Sequence, residues 1–178
     1  MEDFLEEIFL TEEDIAKIVK RLGEEITRDY KDKNLLLVGI LKGSMIFLSD
    51  LMKEIKINTC EVDFMCASSY VGTMDGGGKV NVLKDLSIDI KNYDVLIVED
   101  ILESGYTLQR ITSMLKERNP KSLKICTLLD KPQRHKVDIT SDYVGLVIPN
   151  RFVIGYGMDY NEKYRNLPYI GILDSKYR

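Results

Sequence analysis

The sequence predicts an α/β protein with a mainly parallel, twisted sheet that has helices on both faces. Apolar runs of strand length alternate along the chain with stretches whose apolar residues follow helical spacing. The run at 35–41, Leu-Leu-Leu-Val-Gly-Ile-Leu, is apolar throughout, as expected of a strand covered on both faces. Strands that alternate with helices favour a parallel sheet, because a parallel connection needs a crossover of helical length.

The first half of the chain supplies two helices. Thr11 and Asp14 form a weak capping box, and the apolar residues that follow at helical spacing extend the helix over about 12–29. The apolar residues from Met45 to Met52 indicate a second, short and buried helix. Strands are predicted at 35–41, at 60–67, where apolar and acidic residues alternate, and at 80–84.

The second half continues the alternation. A helix is predicted near 105–118, ended by Asn119-Pro120, because proline cannot continue a helix. Further strands are predicted at 94–98, 123–129, 143–147, 152–156 and 169–173.

The stretch 68–79 differs from the rest. It holds four of the twelve glycines of the chain and almost no residues that pack into a core. A stretch this long without its own structure is uncommon in a compact domain and often forms a lid, although a plain flexible hairpin has the same composition.

Composition limits the class of protein. The 178 residues are 44% hydrophobic and 30% charged, which predicts one globular domain over 1–178. The net charge of −4 argues against a nucleic-acid partner, since phosphate contacts need clustered Lys and Arg.

The sequence also indicates where the protein is located. No apolar run is long enough for a membrane helix, and the acidic segment 2–7 is unlike a secretory signal. We therefore expect a cytoplasmic protein without a membrane partner. Three cysteines without Cys-x-x-Cys spacing are expected to be buried free thiols.

Residues 95–107 carry the strongest functional pattern. Four apolar residues end at Glu99 and Asp100, and a short turn leads through Glu103, Ser104 and Gly105 into a helix. Backbone N–H groups at a helix N-terminus can hold a phosphate, and the carboxylates suit ribose hydroxyls or a divalent metal. The pattern differs from the Gly-x-Gly-x-x-Gly and Gly-Lys-Ser/Thr phosphate loops.

Four residues of the last third have two interpretations each. Lys131 follows a predicted strand, so it either donates to a carbonyl oxygen of a ligand or is a solvated lysine. Phe152 stacks on a flat ring or fills the core. Asp159 ligates a metal or caps a turn, and Arg165 binds pyrophosphate or is solvated.

Residues 99–107 closely resemble the phosphoribosyl-pyrophosphate loop of the type I phosphoribosyltransferases. Together with Leu41-Lys42-Gly43, Ser69-Tyr70 and the segment 131–165, they resemble the hypoxanthine-guanine phosphoribosyltransferase family from about residue 8 to 173. The resemblance implies the type I fold, with a small hood subdomain formed by the termini. It also implies transfer of the phosphoribosyl group of 5-phosphoribosyl 1-pyrophosphate to a purine base, with Mg²⁺ as cofactor and a homodimer or homotetramer as the assembly.

The resemblance also implies a role for individual residues. The sugar phosphate is expected at Glu103, Ser104, Gly105, Tyr106 and Thr107, and the ribose or magnesium at Glu99, Asp100 and Asp159. The purine is expected at Lys131, Phe152 and Val153, the pyrophosphate at Lys42, Gly43 and Arg165, and the tip of the lid at Ser69 and Tyr70. Glu103, Lys131 and Arg165 are the expected catalytic residues.

The sequence departs from the family pattern at one position, and two alternative functions remain open. The family usually has Asp where this chain has Glu103, whose longer side chain changes the position of the carboxylate. The base can be xanthine, adenine or uracil instead, although Lys131 favours a 6-oxopurine. Alternatively, the chain is a regulator that senses phosphoribosyl ligands and binds nucleic acid.

Overall fold

A six-stranded sheet forms the centre of the molecule, in a computed structural model that describes residues 3–70 and 79–178. All neighbouring strands are parallel except the pair at one edge, β3 and β4. This confirms the predicted fold class. The order is β4-β3-β2-β5-β6-β7, formed by Leu35–Leu41 (β2), Glu61–Tyr70 (β3), Lys79–Lys84 (β4), Asp94–Leu102 (β5), Ser122–Asp130 (β6) and Tyr143–Val147 (β7).

Helices cover both faces of this sheet. Helix α1 (Glu12–Asp29) and helix α2 (Met45–Glu54) lie on one face, and helix α3 (Tyr106–Lys116) lies on the other. The residues of β2 alternate between the two cores: Leu35 and Leu37 pack with α1 and α2, while Leu36 and Val38 pack on the side of α3. This double coverage explains why the whole strand is apolar.

The predicted capping box at the start of α1 is present. The hydroxyl of Thr11 accepts from the backbone N–H of Asp14 at 3.2 Å, and the Asp14 carboxylate accepts from the backbone N–H of Thr11 at 3.1 Å. These two bonds satisfy N–H groups that have no partner inside the helix.

A second, three-stranded antiparallel sheet joins the N-terminal strand to two strands of the C-terminal part, where the family resemblance implied a small hood subdomain. Strand β1 (Leu5–Leu10) pairs with β9 (Ile170–Leu173), which also pairs with β8 (Val153–Ile154). The sequence did not predict β1, whose apolar alternation is broken by Glu6-Glu7. Strand β8 is shorter than the predicted 152–156 because the backbone turns through left-handed conformations from Gly155 onward.

Strand β5 is longer than predicted. It continues past Glu99 and Asp100 to Leu102, because β6 also extends and pairs Ile101 with Leu129. The two acids therefore belong to the strand rather than to the turn after it.

Three further sequence predictions concern thiols, the membrane and the lid. All three cysteines are free, but only Cys126 is buried, while Cys60 and Cys66 are half-buried. Within the described ranges, no helix is both long and apolar enough to cross a membrane. The predicted lid, 68–79, is too long at both ends, because 68–70 pair with 79–81 as parts of β3 and β4. Its remaining residues, 71–78, lie outside the described part of the chain.

Candidate active site

The predicted site residues gather where three neighbouring strands end. Strands β2, β5 and β6 are adjacent and parallel, so their carboxyl ends meet at one edge of the sheet. Lys42 follows β2, Glu103 follows β5 and Lys131 follows β6. The peptide bond between Leu41 and Lys42, at the end of β2, is cis.

The loop between β5 and α3 has the geometry of a phosphate cradle. Gly105 has a φ of 83°, and α3 begins at the next residue. A Cβ at Gly105 would lie only 2.6 Å from the side chain of Ile139 and 2.9 Å from that of Val137, so glycine is required both for conformation and for space. The N–H groups of the first turn of α3 are available to an anion. A cavity of about 300 Å³ here is lined by residues including Glu99, Glu103, Ser104, Gly105 and Thr107.

The two adjacent acids of β5 form an electrostatically unusual pair. Removal from water raises the pKa of Glu99 well above its usual value, and the Asp100 carboxylate raises it further. The pKa of Asp100 is also raised by burial, against the opposing effects of hydrogen bonds and the Arg165 charge. A cation or hydroxyl donors placed here would stabilise the ionised pair.

Asp100 also contacts the segment after β2. A Cβ added to Gly43 would overlap the Asp100 carboxylate. A side chain here would require the Asp100 carboxylate or the backbone to move, so glycine allows the segment after β2 to lie directly against Asp100.

Lys131 is buried, so the interpretation as a solvated lysine is wrong. Only 3% of its side chain is exposed, and its ammonium donates to the Glu103 carboxylate. Its backbone N–H donates to the carbonyl of Leu102 at 2.9 Å, which ties the end of β6 to the end of β5. A buried lysine needs such a partner, because an isolated buried charge is costly.

Arg165 is held by several groups rather than solvated. Its guanidinium lies 2.8 Å from the Asp159 carboxylate and donates to the carbonyl of Gly157 at 2.8 Å. Its Nε is buried and has no hydrogen-bond partner among the residues that the structure describes. Glu162 bridges Arg165 and Lys42, at 3.2 Å and 3.0 Å, and sequence reasoning missed this residue. Its spacing of three residues from both Asp159 and Arg165 was the only signal available.

Asp159 has a structural role in addition to any role in metal binding. Its carboxylate accepts from the backbone N–H of Glu162 at 2.9 Å, which is the turn cap that the sequence left as an alternative. It is also paired with Arg165 and so is partly neutralised already.

Phe152 is not a core residue. Its side chain is 37% exposed, and the Tyr160 ring meets it edge-on, with ring centroids 5.6 Å apart. The Arg178 guanidinium lies 5.3 Å from the centre of the Phe152 ring. The neighbouring Val153 is buried in β8 opposite Ile172. An exposed, supported ring suits stacking on a flat ligand.

The expected magnesium ligands do not form one cluster. In the described part of the chain, no three carboxylate, imidazole or thiol groups are arranged to hold a metal. Glu99 and Asp100 are neighbours, whereas Asp159 is paired with Arg165. Magnesium is commonly held by one or two carboxylates together with phosphate oxygens of a substrate, and these residues fit that arrangement. The side chains of Ser69 and Tyr70 lie outside the described part.

The fold and this site define the class of the protein. Residues 7–161 match the model of the phosphoribosyl transferase domain family. This match confirms the prediction, made from residues 99–107, that the chain is a phosphoribosyltransferase domain.

Similarity to individual proteins shows which phosphoribosyltransferase family the chain belongs to. The chain is 56% identical over 173 residues to the hypoxanthine-guanine phosphoribosyltransferase of Staphylococcus aureus strain Mu50, which covers 97% of this chain and 96% of the relative. A crystal structure of a hypoxanthine phosphoribosyltransferase from S. aureus superposes with a TM-score of 0.94 at 54% identity, covering 98% of this chain and 95% of the other. A hypoxanthine-guanine phosphoribosyltransferase from Bacillus anthracis has a TM-score of 0.88 at 43% identity, with coverages of 96% and 98%. This chain belongs to the hypoxanthine-guanine phosphoribosyltransferase family.

Proposed function

We propose that this protein is a purine-salvage enzyme that transfers the phosphoribosyl group of 5-phosphoribosyl 1-pyrophosphate to hypoxanthine or guanine. The products are IMP or GMP and pyrophosphate. The observation that carries the proposal is the buried Lys131, which places a hydrogen-bond donor beside the loop of residues 103–107. The family membership supports the same reaction.

Lys131 accounts for the choice of base. Its ammonium can only donate hydrogen bonds, so it pairs with the 6-oxo oxygen of hypoxanthine or guanine. The 6-amino group of adenine is itself a donor, so it cannot accept this hydrogen bond from the ammonium. Phe152 would stack on the purine, and the backbone of Val153 would bind its pyrimidine edge. The ranking of hypoxanthine, guanine and xanthine depends on position 2 of the base, which Lys131 does not contact.

The two phosphorylated ends of the sugar substrate fit separate parts of the site. The 5-phosphate would bind at the start of α3, to backbone N–H groups and the hydroxyls of Ser104 and Thr107. Tyr106 contributes its backbone N–H to this cradle. The pyrophosphate would bind near Gly43, with Lys42 and Arg165 as cations. No described residue accepts from the Nε of Arg165, which supports this role because a phosphate oxygen would satisfy it.

Glu99 and Asp100 would hold the ribose hydroxyls, directly or through Mg²⁺. We propose Mg²⁺ as the cofactor, with Asp159 as a further ligand. When bound, the ion neutralises negative charge that grows on the leaving pyrophosphate. Burial and the neighbouring Asp100 carboxylate raise the pKa of Glu99, and an incoming cation or hydroxyl donor would stabilise its ionised form.

The chemical step breaks the bond between C1 and the pyrophosphate oxygen and forms a bond between C1 and N9 of the base, with inversion at C1. We propose that Glu103 accepts the proton from N7 of the purine. Lys131 and Arg165 stabilise charge on the base and on the leaving group, respectively. The Glu103 side chain is longer than the usual Asp by about 1.5 Å, one carbon–carbon bond. Its contact with Lys131 fixes where the carboxylate lies.

Other parts of the proposal rest on the sequence and on the family. We infer one phosphoribosyltransferase domain over 1–178, with the segment between β3 and β4 as a lid that excludes water. Ser69 and Tyr70 end β3, where they pair with Val80 and Lys79, so they lie at the base of this lid rather than at its tip. A cytoplasmic location is supported by three free thiols. A homodimer or homotetramer is supported by Met45 and Met52, which are exposed by 50% and 43% on one side of α2.

A panel of bases tests the proposed function. Purified protein, magnesium and the sugar pyrophosphate are mixed with hypoxanthine, guanine, xanthine, adenine or uracil in turn. Nucleotide formation with hypoxanthine and guanine and none with adenine supports the proposal. Turnover of adenine or uracil would overturn the role of Lys131. Tight binding of the sugar pyrophosphate without any turnover would favour a regulator instead.

A further inference from the structure

A second cavity lies at the edge of the sheet opposite the active site. Its volume is about 760 Å³, against about 300 Å³ for the cavity at the 103–107 loop. It opens where β2 and β3 begin, between the segments that follow α1 and α2. The lining residues are Thr27, Arg28, Lys31, Asp32, Lys33, Asn34, Lys56, Ile57, Asn58 and Thr59.

This lining is strongly basic in a chain whose net charge is −4. It carries four cationic side chains and one carboxylate, that of Asp32. Lys31, Lys33 and Lys56 form no ion pair with any residue that the structure describes. The Lys56 ammonium donates to the carbonyl of Lys53, which engages one of its three donors and leaves its charge unneutralised. The three charges are therefore available to an anion from solution.

Hydrogen bonds and one aromatic ring hold the cavity walls in place. The Thr27 hydroxyl donates to the carbonyl of Gly23 at 2.6 Å and accepts from the backbone N–H of Lys56 at 2.9 Å, joining the two segments. The Lys33 ammonium lies 5.0 Å from the centre of the Tyr30 ring, which fixes its position without neutralising its charge. The Thr59 hydroxyl donates to the carbonyl of Lys33 at 3.3 Å. A pocket held in this way loses little entropy when a ligand binds.

We propose that this cavity is a binding site for a small anion with two or more phosphate groups, such as an inorganic polyphosphate or a nucleoside polyphosphate. Lysine ammonium groups bind phosphate oxygens as point charges, and three unpaired ones can contact separate phosphates. The amide side chains of Asn34 and Asn58 add neutral groups for the rest of the ligand. The volume lies within the range of small-molecule sites. The concave shape favours a compact ligand over the extended backbone of a nucleic acid.

Binding of this ligand would be separate from the proposed phosphoribosyl transfer, because no residue of the cavity belongs to the candidate active site. The cavity and the active site lie at opposite ends of β2, whose first residue follows Asn34 and whose last residue precedes Lys42. Substitutions in the cavity are therefore expected to leave the rate of nucleotide formation unchanged.

A titration followed by protein NMR tests the proposal. Isotopically labelled protein is titrated with inorganic tripolyphosphate at constant ionic strength, and backbone amide shifts are followed at 31–34, 56–59 and 104–107. The test variant replaces Lys31, Lys33 and Lys56 with Gln. The control variant replaces Arg110, Lys116 and Lys121 with Gln, which removes the same charge from another surface.

The proposal predicts saturable shifts at 31–34 and 56–59 in the unaltered protein. The dissociation constant for these shifts should rise about tenfold or more in the test variant and stay unchanged in the control, because each charge-assisted contact contributes more than about 1 kcal/mol. Shifts confined to 104–107, or none, would overturn the proposal and mean that the lysines only offset the negative ends of α1 and α2. Equal weakening in both variants would indicate non-specific attraction and overturn it too. Tighter binding of a short single-stranded RNA at the same amides would overturn the assignment to a small ligand.

Discussion

The ammonium of Lys131 donates to the carboxylate of Glu103, so the residue proposed to select the base is paired with the residue proposed to accept its proton. A purine that binds to Lys131 must share or replace this contact. Base recognition and proton transfer are therefore coupled. A substitution of Lys131 is expected to affect proton transfer, and a substitution of Glu103 is expected to affect recognition of the base.

Replacement of Glu103 tests its role as general base. Glu103→Gln keeps the size of the side chain but cannot accept a proton at neutral pH, so kcat should fall by about a hundredfold or more. The KM for 5-phosphoribosyl 1-pyrophosphate should change little, since the phosphate contacts remain. Steady-state kinetics with both substrates varied would measure the two effects separately.

Glu103→Asp is the matched control for that variant. It restores the residue that the family usually has and keeps the carboxylate, so it should retain much more activity than Glu103→Gln. A near-normal kcat in the Gln variant would show that Glu103 does not transfer the proton.

Removal of the Phe152 ring should affect binding of the base and spare folding. Stacking on an aromatic side chain contributes about 1–3 kcal/mol per base, so Phe152→Ala should raise the KM for hypoxanthine about tenfold or more. The melting temperature should change little because the side chain is 37% exposed. Phe152→Tyr keeps the ring and should behave like the unaltered protein. A large loss of thermal stability with unchanged KM would identify Phe152 as a structural residue.

A side chain at position 43 is expected to impair catalysis. The Cβ of Gly43→Ala would overlap the Asp100 carboxylate and displace either the acid or the segment after β2. A displacement of about 1 Å can cost on the order of a hundredfold in rate, so kcat/KM should fall by about that factor. Steady-state assays at saturating magnesium would measure it. Full activity in Gly43→Ala would contradict the close approach of these two residues.

Asp63 should stabilise the fold in a manner that depends on pH. Burial opposes its ionisation, but hydrogen bonds from the backbone N–H groups of Ser87 and Phe64, at 2.6 Å and 2.7 Å, and the Lys84 charge hold its pKa below 3.8. The stabilisation is fully present above the unfolded pKa and is lost as pH falls through the folded pKa. Asp63→Asn should therefore lower the free energy of unfolding by about 1.5–3 kcal/mol at pH 7 and by less at pH 3.

Urea unfolding at the two pH values would measure this difference. Asp138→Asn, at an exposed carboxylate, is the control and should have little effect at either pH. An equal loss in Asp63→Asn at both pH values would show that ionisation of Asp63 does not stabilise the fold.

The sequence correctly predicted those elements whose patterns involve residues close together in the chain. The capping box of α1 and the continuous apolar run of β2 depend on neighbours in the chain, and both are present in the structure. The loop at 103–107 was recognised because its groups lie within a few residues of one another.

The remaining features depend on contacts between distant segments. The extension of β5 to Leu102 needs β6 as a partner. The burial of Lys131 depends on Glu103, and Glu162 joins the site only because Lys42 and Arg165 come together in space. Position along the chain cannot show such pairs.

If Lys131 makes the site specific for a 6-oxopurine, its replacement should lower the preference for hypoxanthine over adenine, which the ratio of the two kcat/KM values measures. The value for hypoxanthine and the value for adenine would be measured in the unaltered protein and in Lys131→Met, with Lys116→Met as the control. We expect a preference for hypoxanthine of about 10⁴ or more in the unaltered protein and the control, because a site built to bond one group rejects the analogue that lacks it. In Lys131→Met this preference should fall by about tenfold or more. An unchanged preference in Lys131→Met, or efficient use of adenine by the unaltered protein, would contradict this role of Lys131.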